Sequence, residues 1–380
     1  MVTTMNFHTD ISRQSITIDG VRYTCTDATP SDGMPSRLQN HFRQEYGADS
    51  FHVQIADFLA EWFDGSDTLQ VHTSGSTGTP KQLRVEKQRM MNSAMLTLSF
   101  LHLREEDTAM LCMPLQYIAG KMVVVRALVG GLNLIPVAPC GHPMQSLSQT
   151  PVFSAMIPMQ VFNSLQVPEE AEKLSRIRHL IIGGGAVDEE LGKQLHSFPH
   201  AVWSTYGMTE TLSHIALRRI NGLKASEWYT PFSNVSLTLS ADQTLIIDAP
   251  LVSPIRLVTN DIVEFNPQGQ FRILGRKDNT INTGGVKVQI EQVEARLKPL
   301  LPFAFQITAA PDSKFGEHIV LLVQSENPVT EENLHEAFRQ LPPYWRPKQI
   351  ICLPQLPLTG SGKPDRATAR KIASSTQIPG

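Results

Sequence analysis

His72-Thr73-Ser74-Gly75-Ser76-Thr77-Gly78-Thr79-Pro80-Lys81-Gln82 follows a strand-like run, Thr68-Leu69-Gln70-Val71, and decides how the rest of the chain is read. Glycine lets a backbone turn tightly and approach a ligand closely. Consecutive N–H groups in such a turn form an anion-binding nest, to which hydroxyls add donors and Lys81 a positive charge. The stretch therefore predicts a cradle for a polyphosphate. It is not the P-loop G-x-x-x-x-G-K-[ST], because its lysine follows proline, three residues after the last glycine. The later Gly360-Ser361-Gly362-Lys363 fails as well, since Pro357 and Pro364 stand where Gly and Ser/Thr are required. A bare Gly/Ser/Thr run is more often a plain polar loop, so the reading rests on partners elsewhere in the chain.

Composition bounds those partners. At 380 residues, with 41% apolar and 18% charged, the chain predicts a soluble globular protein with an ample core. A net charge of −3 with no basic stripe argues against a nucleic-acid partner, so an anionic ligand must be held by local groups. The four cysteines lie apart, with no Cys-x-x-Cys pair, which predicts reduced thiols in a cytoplasmic protein. No signal peptide is expected, and the apolar run 122–137 is too short and too interrupted to span a bilayer.

Outward from the loop, residues 15–24 alternate around Asp19-Gly20 and predict a hairpin. Helical spacing marks 36–46, 50–63 and 85–101, the last with a methionine stripe that suits core packing. Strand-like runs at 108–113, 132–137, 151–157 and 179–182 then alternate with helical stretches near 118–129, 158–166 and 187–196. This alternation predicts an α/β fold with a largely parallel sheet, whose ligands bind beyond the C-terminal ends of the strands. Three more loops fall there: 114–120, Gly183-Gly184-Gly185-Ala186 and Thr205-Tyr206-Gly207-Met208-Thr209-Glu210. In the last, Tyr206 offers a ring face, Gly207 a turn, Thr209 a donor and Glu210 an oxygen ligand for Mg²⁺. From 214 to 274 short strands predict a β subdomain, which carries Asp261. Gly275-Arg276-Lys277-Asp278 opens a charged, glycine-flanked segment that reads as a hinge, and about a hundred residues of compact α+β pattern follow. The expected domains are thus 1–277 and a small mobile domain, 278–380, with Lys363 on a turn near its end.

Taken together, the 72–82 loop, Tyr206-Gly207-Met208-Thr209-Glu210, Gly275-Arg276-Lys277-Asp278 and Gly362-Lys363 resemble the AMP-forming acyl- and aryl-CoA synthetases, members of an adenylating superfamily. The resemblance runs from residue 68 to about 366. It implies ATP, Mg²⁺ and CoA, with a small-molecule carboxylic acid as substrate; it requires no membrane partner and is compatible with a homodimer. It implies that Thr73, Ser74, Gly75, Ser76, Thr77, Gly78 and Lys81 hold the β- and γ-phosphates. Tyr206 and Gly207, with Gly184-Gly185-Ala186, would enclose adenine; Thr209 would meet the α-phosphate, Glu210 the metal, and Asp261 and Arg276 the ribose. Asp278 would be the hinge, Lys363 the adenylation lysine, and Gly284-Gly285 part of the thiol tunnel. Gln82 and Asn260 depart from the family pattern, where glycine is usual, and the segment before the phosphate loop is short.

Among short members, residues 114–122 and Thr209-Glu210-Thr211-Leu212-Ser213-His214 are most similar to the o-succinylbenzoate–CoA ligases of menaquinone biosynthesis. Such a substrate has a second carboxylate to be held unreacted, which requires a cation or several donors. Lys121, His214, Ser213 and Arg126 are the candidates, with Lys121 or His214 ahead of Arg126. Another acyl- or aryl-CoA ligase, a stand-alone adenylating domain, and a non-catalytic nucleotide-binding relative stay open.

Overall fold

The computed structural model describes residues 6–31, 33–72, 82–358 and 364–376. It divides into two compact units, Met1–Ser236 with Ile247–Leu257, and Leu237–Ile246 with Val258–Gly380.

The first unit is organised by a nine-stranded sheet. Its strands, in spatial order, are Thr230–Pro231, His214–Arg219, Ala201–Gly207, His179–Ile182, Phe153–Met156, Thr108–Leu111, Asn133–Pro136, Ser15–Ile18 and Val21–Thr24. The six from Ala201–Gly207 to Ser15–Ile18 pair in parallel, and the outer pairings are antiparallel. The expected α/β architecture is therefore present. Burial explains why these runs pair in parallel: Phe153–Met156 is buried at every position and His179–Ile182 at three of four, as a sheet covered on both faces requires. Met110, Met156, Leu180, Ile182 and Val202 pack with Val161, Leu174, Leu191 and Leu195 into one core cluster.

Local signals account for the borders. Asp19 and Gly20 both take positive φ, 48° and 82°, the two-residue turn that matches strand twist in the hairpin expected there. Ser36 and Ser50 cap the helices Arg37–Tyr46 and Phe51–Trp62 through the N–H groups of Gln39 and Val53. Two expectations shift. The helix expected from 85 begins at Lys87, because Gln82–Glu86 forms a strand that pairs antiparallel with Thr68–His72, His72 opposite Gln82. The polar–apolar alternation of Gln82-Leu83-Arg84-Val85-Glu86 is the strand period that explains it. Strands His214–Arg219 and Thr230–Pro231, expected in a β subdomain, instead extend the edge of the large sheet.

The second unit holds most of a four-stranded sheet, in the order Ser236–Leu239, Thr244–Asp248, Leu257–Phe265, Phe271–Arg276. Its second sheet runs Val286–Gln289, Thr280–Thr283, Gly316–Gln324, Phe305–Asp312, with Gln349–Leu353 beside Gly316–Gln324. Strand Gly316–Gln324 is buried on both faces: Ile319, Leu321 and Val323 join one cluster with Val293, Leu297 and Phe338, while Val320 and Leu322 join another with Ala369 and Ala373.

In the first unit the helix Ile118–Gly130 is buried from Gly120 to Val129. Its first turn presses on the preceding loop so closely that a Cβ on Gly120 would lie 2.5 Å from the Pro114 carbonyl oxygen and 2.9 Å from that of Met113. Both are backbone atoms and cannot swing aside. Gly120→Ala should therefore destabilise the protein by about 1–3 kcal/mol, the usual cost of overpacking. Urea unfolding would read this, and an unchanged midpoint would mean that the helix start shifts freely.

Candidate functional site

Because the central strands are parallel, their C-terminal ends and the loops after them lie along one edge. Ile182 pairs with Ser204 and Met156 with Ile182, so Ile157-Pro158, Gly183–Ala186 and Thr205–Glu210 are neighbours there. The glycine loop is laid flat by lack of side chains: a Cβ on Gly183 would meet Thr205 Oγ1 at 2.6 Å, and those on Gly184 and Gly185 would touch Ile157 and Pro158 at 3.4 Å.

The strand Ala201–Gly207 ends in a tight reversal. A Cβ on Gly207 would stand 2.4 Å from the Ser213 carbonyl oxygen and 2.6 Å from His214 Cα, so only glycine permits the return strand to come this near. Inside the reversal, the Thr211 hydroxyl accepts from the Met208 N–H at 3.0 Å and lies 2.7 Å from the Ser213 carbonyl. This pinned turn leaves Thr209 half-buried and Glu210 exposed, with no ion pair of Glu210 among the described residues. Tyr206 is buried and meets the Tyr229 ring edge-on, with centroids 6.0 Å apart.

Among the described residues of this unit, three cations are buried. Lys87 Nζ pairs with Asp64 at 2.7 Å. Lys121 Nζ donates to Glu61 at 3.0 Å and to the Gln70 carbonyl at 3.2 Å, over the Phe58 ring. Arg126 differs: it is 2% exposed, its Nη2 donates to Ser213 Oγ at 2.6 Å, and its Nε has no partner. No carboxylate faces it among the described residues, and burial pushes its pKa down to about 9. Beside it, His214 contacts Ser213 Oγ through Nδ1 at 3.2 Å and Thr97 Oγ1 through Nε2 at 3.1 Å. Burial, and then the Arg126 charge, hold its pKa well below the usual histidine value, so the ring is neutral. The candidate substrate residues Arg126, Ser213 and His214 thus form one cluster, while Lys121 sits in a separate ion pair.

In the second unit, Asp261 and Arg276 face each other across paired strands, Arg276 Nη1 lying 3.2 Å from Asp261 Oδ1. Arg276 also grips Asp278 with Nε and Nη2, both at 2.9 Å, which lowers the Asp278 pKa and raises that of Arg276. The candidate ribose and hinge residues are therefore one charged triad. Gly284 and Gly285, with φ of 59° and 81°, form the two-residue turn between Thr280–Thr283 and Val286–Gln289.

Thr73, Ser74, Gly75, Ser76, Thr77, Gly78, Lys81 and Lys363 lie outside the described residues. The described chain on either side of these two stretches is paired, His72 with Gln82 and Leu358 with Pro364. The described residues contain no group of three or more His, Cys, Asp or Glu able to hold a metal on their own. A lone exposed Glu210 suits Mg²⁺ shared with phosphates, since that ion commonly takes one or two carboxylates beside its substrate oxygens. No helix among the described residues is long and apolar enough to cross a membrane.

Comparison with known proteins agrees with this layout. The sequence profile of the family described as "AMP-binding enzyme" matches residues 24–248. The 2-succinylbenzoate–CoA ligase of Bacillus cereus is 25% identical over 348 residues, covering 83% of this chain and 72% of that protein. An acyl-CoA synthetase (AMP-forming)/AMP-acid ligase II-like protein from Dyadobacter fermentans is 31% identical, with a TM-score of 0.60 over 86% of this chain and 95% of that one. The Bacillus subtilis o-succinylbenzoate coenzyme A synthetase, solved with ATP and magnesium ion, shares the fold at 21% identity and TM-score 0.65, over 78% and 68% of the two chains.

The neutrality of His214 sets a pH dependence. Its folded-state pKa lies below the ordinary 6.5, so beneath that pH the unfolded chain binds a proton that the folded chain refuses. The stability from this group is complete above 6.5 and is lost as pH falls, by up to about 1.4 kcal/mol per pH unit. Comparing wild type with His214→Gln by thermal unfolding, the wild type should lose more stability between pH 7 and 5; parallel profiles would mean that His214 titrates normally.

Proposed function

We propose that this chain, which belongs to the AMP-binding enzyme family, joins an aromatic dicarboxylic acid, o-succinylbenzoate, to CoA by way of an acyl-adenylate. It is an AMP-forming acid–CoA ligase. The observation that carries the choice of acid is the buried Arg126 guanidinium, which no carboxylate faces among the described residues. A buried cation left unpaired is costly, and a ligand carboxylate would relieve that cost. The names of the relatives support the same acid. Arg126 now ranks ahead of Lys121, whose charge Glu61 already neutralises, and ahead of His214, which is neutral.

In this reading the succinyl carboxylate attacks the ATP α-phosphate, pyrophosphate leaves, and the CoA thiol then displaces AMP from the acyl-adenylate. Residues 73–78 and Lys81 hold the β- and γ-phosphates, and Thr209 meets the α-phosphate. Tyr206, Gly207 and Gly184-Gly185-Ala186 flank adenine, and Asp261 with Arg276 takes the ribose. Glu210, together with the ATP phosphates, would hold Mg²⁺, whose positive charge would assist the transfer. Lys363 supplies more, and domain 278–380 turns about Asp278 between half-reactions so that Gly284-Gly285 approaches the thiol. Rotation requires the Arg276–Asp278 pair to break or to travel intact; both side chains are about half-exposed, so the pair offers little resistance.

Pyrophosphate release across a panel of carboxylic acids tests the assignment: o-succinylbenzoate should exceed benzoate, fatty acids and amino acids, and equal use of a monocarboxylate would refute it. Arg126→Met should raise the acid's KM about 10²-fold and leave the KM for ATP unchanged, the loss of a charge-assisted contact. The same variant should be at least as stable as wild type, because it removes a buried unpaired charge. A marked fall in Tm would instead make Arg126 a structural residue. Lys363→Ala should slow adenylation by roughly 10²-fold while sparing thioester formation from preformed adenylate; equal losses in both steps would remove Lys363 from the proposed role.

A further inference from the structure

The contacts around Arg126 fix more than its position. Thr97 Oγ1 has one proton, and the Ser93 carbonyl, 3.3 Å away, can only accept it. The same oxygen lies 3.1 Å from His214 Nε2, so it accepts there and Nε2 carries the ring proton. A neutral imidazole then has a bare Nδ1, which accepts the Ser213 hydroxyl proton at 3.2 Å. With its proton directed to the ring, Ser213 Oγ turns its lone pairs outward and accepts from Arg126 Nη2 at 2.6 Å. The order Arg126 to Ser213 to His214 to Thr97 to the Ser93 carbonyl uses every proton once and leaves no donor facing a donor.

We propose that Thr97 and His214 are positioning residues, which act through Ser213 to hold the Arg126 guanidinium in one orientation and keep Nε available for the substrate's second carboxylate. The proposal rests on the reading of Arg126 as the carboxylate site. Three features make the relay suited to that task. His214 is gripped at both nitrogens and packed against the Phe232 ring edge at 5.4 Å, so it cannot turn. The chain also ends on a backbone carbonyl of the helix Lys87–Leu101, a rigid anchor rather than a mobile side chain. It contains no carboxylate, which would pair with Arg126 and compete with the ligand. A neutral relay orients the cation without quenching it.

The alternative proton order, with the proton on Nδ1, would make Ser213 Oγ accept from both the ring and Arg126. The ring nitrogens distinguish the two. In ¹⁵N-histidine-labelled protein, His214 should show a protonated Nε2 and a bare Nδ1, unchanged from pH 8 to 6. Thr97→Val keeps the shape but removes the acceptor for Nε2–H; it should raise the KM for o-succinylbenzoate about tenfold, with kcat and the KM for ATP little changed, and Thr97→Ser should restore it. An Nδ1–H tautomer or an imidazolium overturns the relay whatever the kinetics show. So does a Thr97→Val enzyme with a wild-type KM when Arg126→Met is impaired. If Arg126→Met itself leaves the acid's KM unchanged, the carboxylate-site reading falls and the positioning role with it.

Discussion

The return of the chain at Gly207 is the constraint on which the site depends. Two strands approach so closely there that the Ser213 carbonyl oxygen would lie 2.4 Å from any Cβ, and the Thr211 hydroxyl clamps the intervening turn. From this one contact follow three placements. Glu210 stands outward at the C-terminal edge of the parallel strands, Ser213 reaches Arg126, and His214 reaches Thr97 on a helix more than a hundred residues earlier in the chain. Were the reversal looser, the Glu210 carboxylate and the Arg126–Ser213–His214 cluster would be positioned independently.

The buried cations of the first unit differ in what faces them. Lys87 and Lys121 are buried with acids within hydrogen-bond distance, an arrangement in which the pair offsets its own desolvation. Among the described residues Arg126 has a serine and no facing carboxylate, and burial lowers its pKa. Proteins tolerate such a group where the stability given up is recovered when a ligand arrives, which is why an isolated buried cation points to a binding site.

Much of the fold was legible in the sequence, and the reasons are local. The turn at Asp19-Gly20, the serine caps, and the alternation of buried runs with helical ones each depend on residues a few positions apart. Strand Gln82–Glu86 carried a readable alternation that the helical pattern after it obscured. The helix Pro168–Ser175 also had its signal, proline at the first position followed by Glu169 and Glu170, but its short length hid it among the loops. The site was legible as motifs and not as partnerships. Glu61 lies 60 positions from Lys121, and Ser213 lies 87 from Arg126. No periodicity reveals which of two lysine-like charges will find an acid once the chain has folded.

The helix Ile118–Gly130 shows how the two cations came to differ. Five residues apart, Lys121 and Arg126 project about 140° from each other, as an α-helix requires. A surface helix would have put at least one of them in water. This helix is buried all round, so both charges enter the protein on different sides. On the Lys121 side the neighbour is the helix Phe51–Trp62, which presents Glu61. On the Arg126 side the neighbour is the reversal after Gly207, which offers the guanidinium a serine hydroxyl with a histidine ring behind it, while its acid, Glu210, is exposed. The same helical geometry that divides the two residues therefore brings one to an acid and leaves the other with no carboxylate facing it among the described residues.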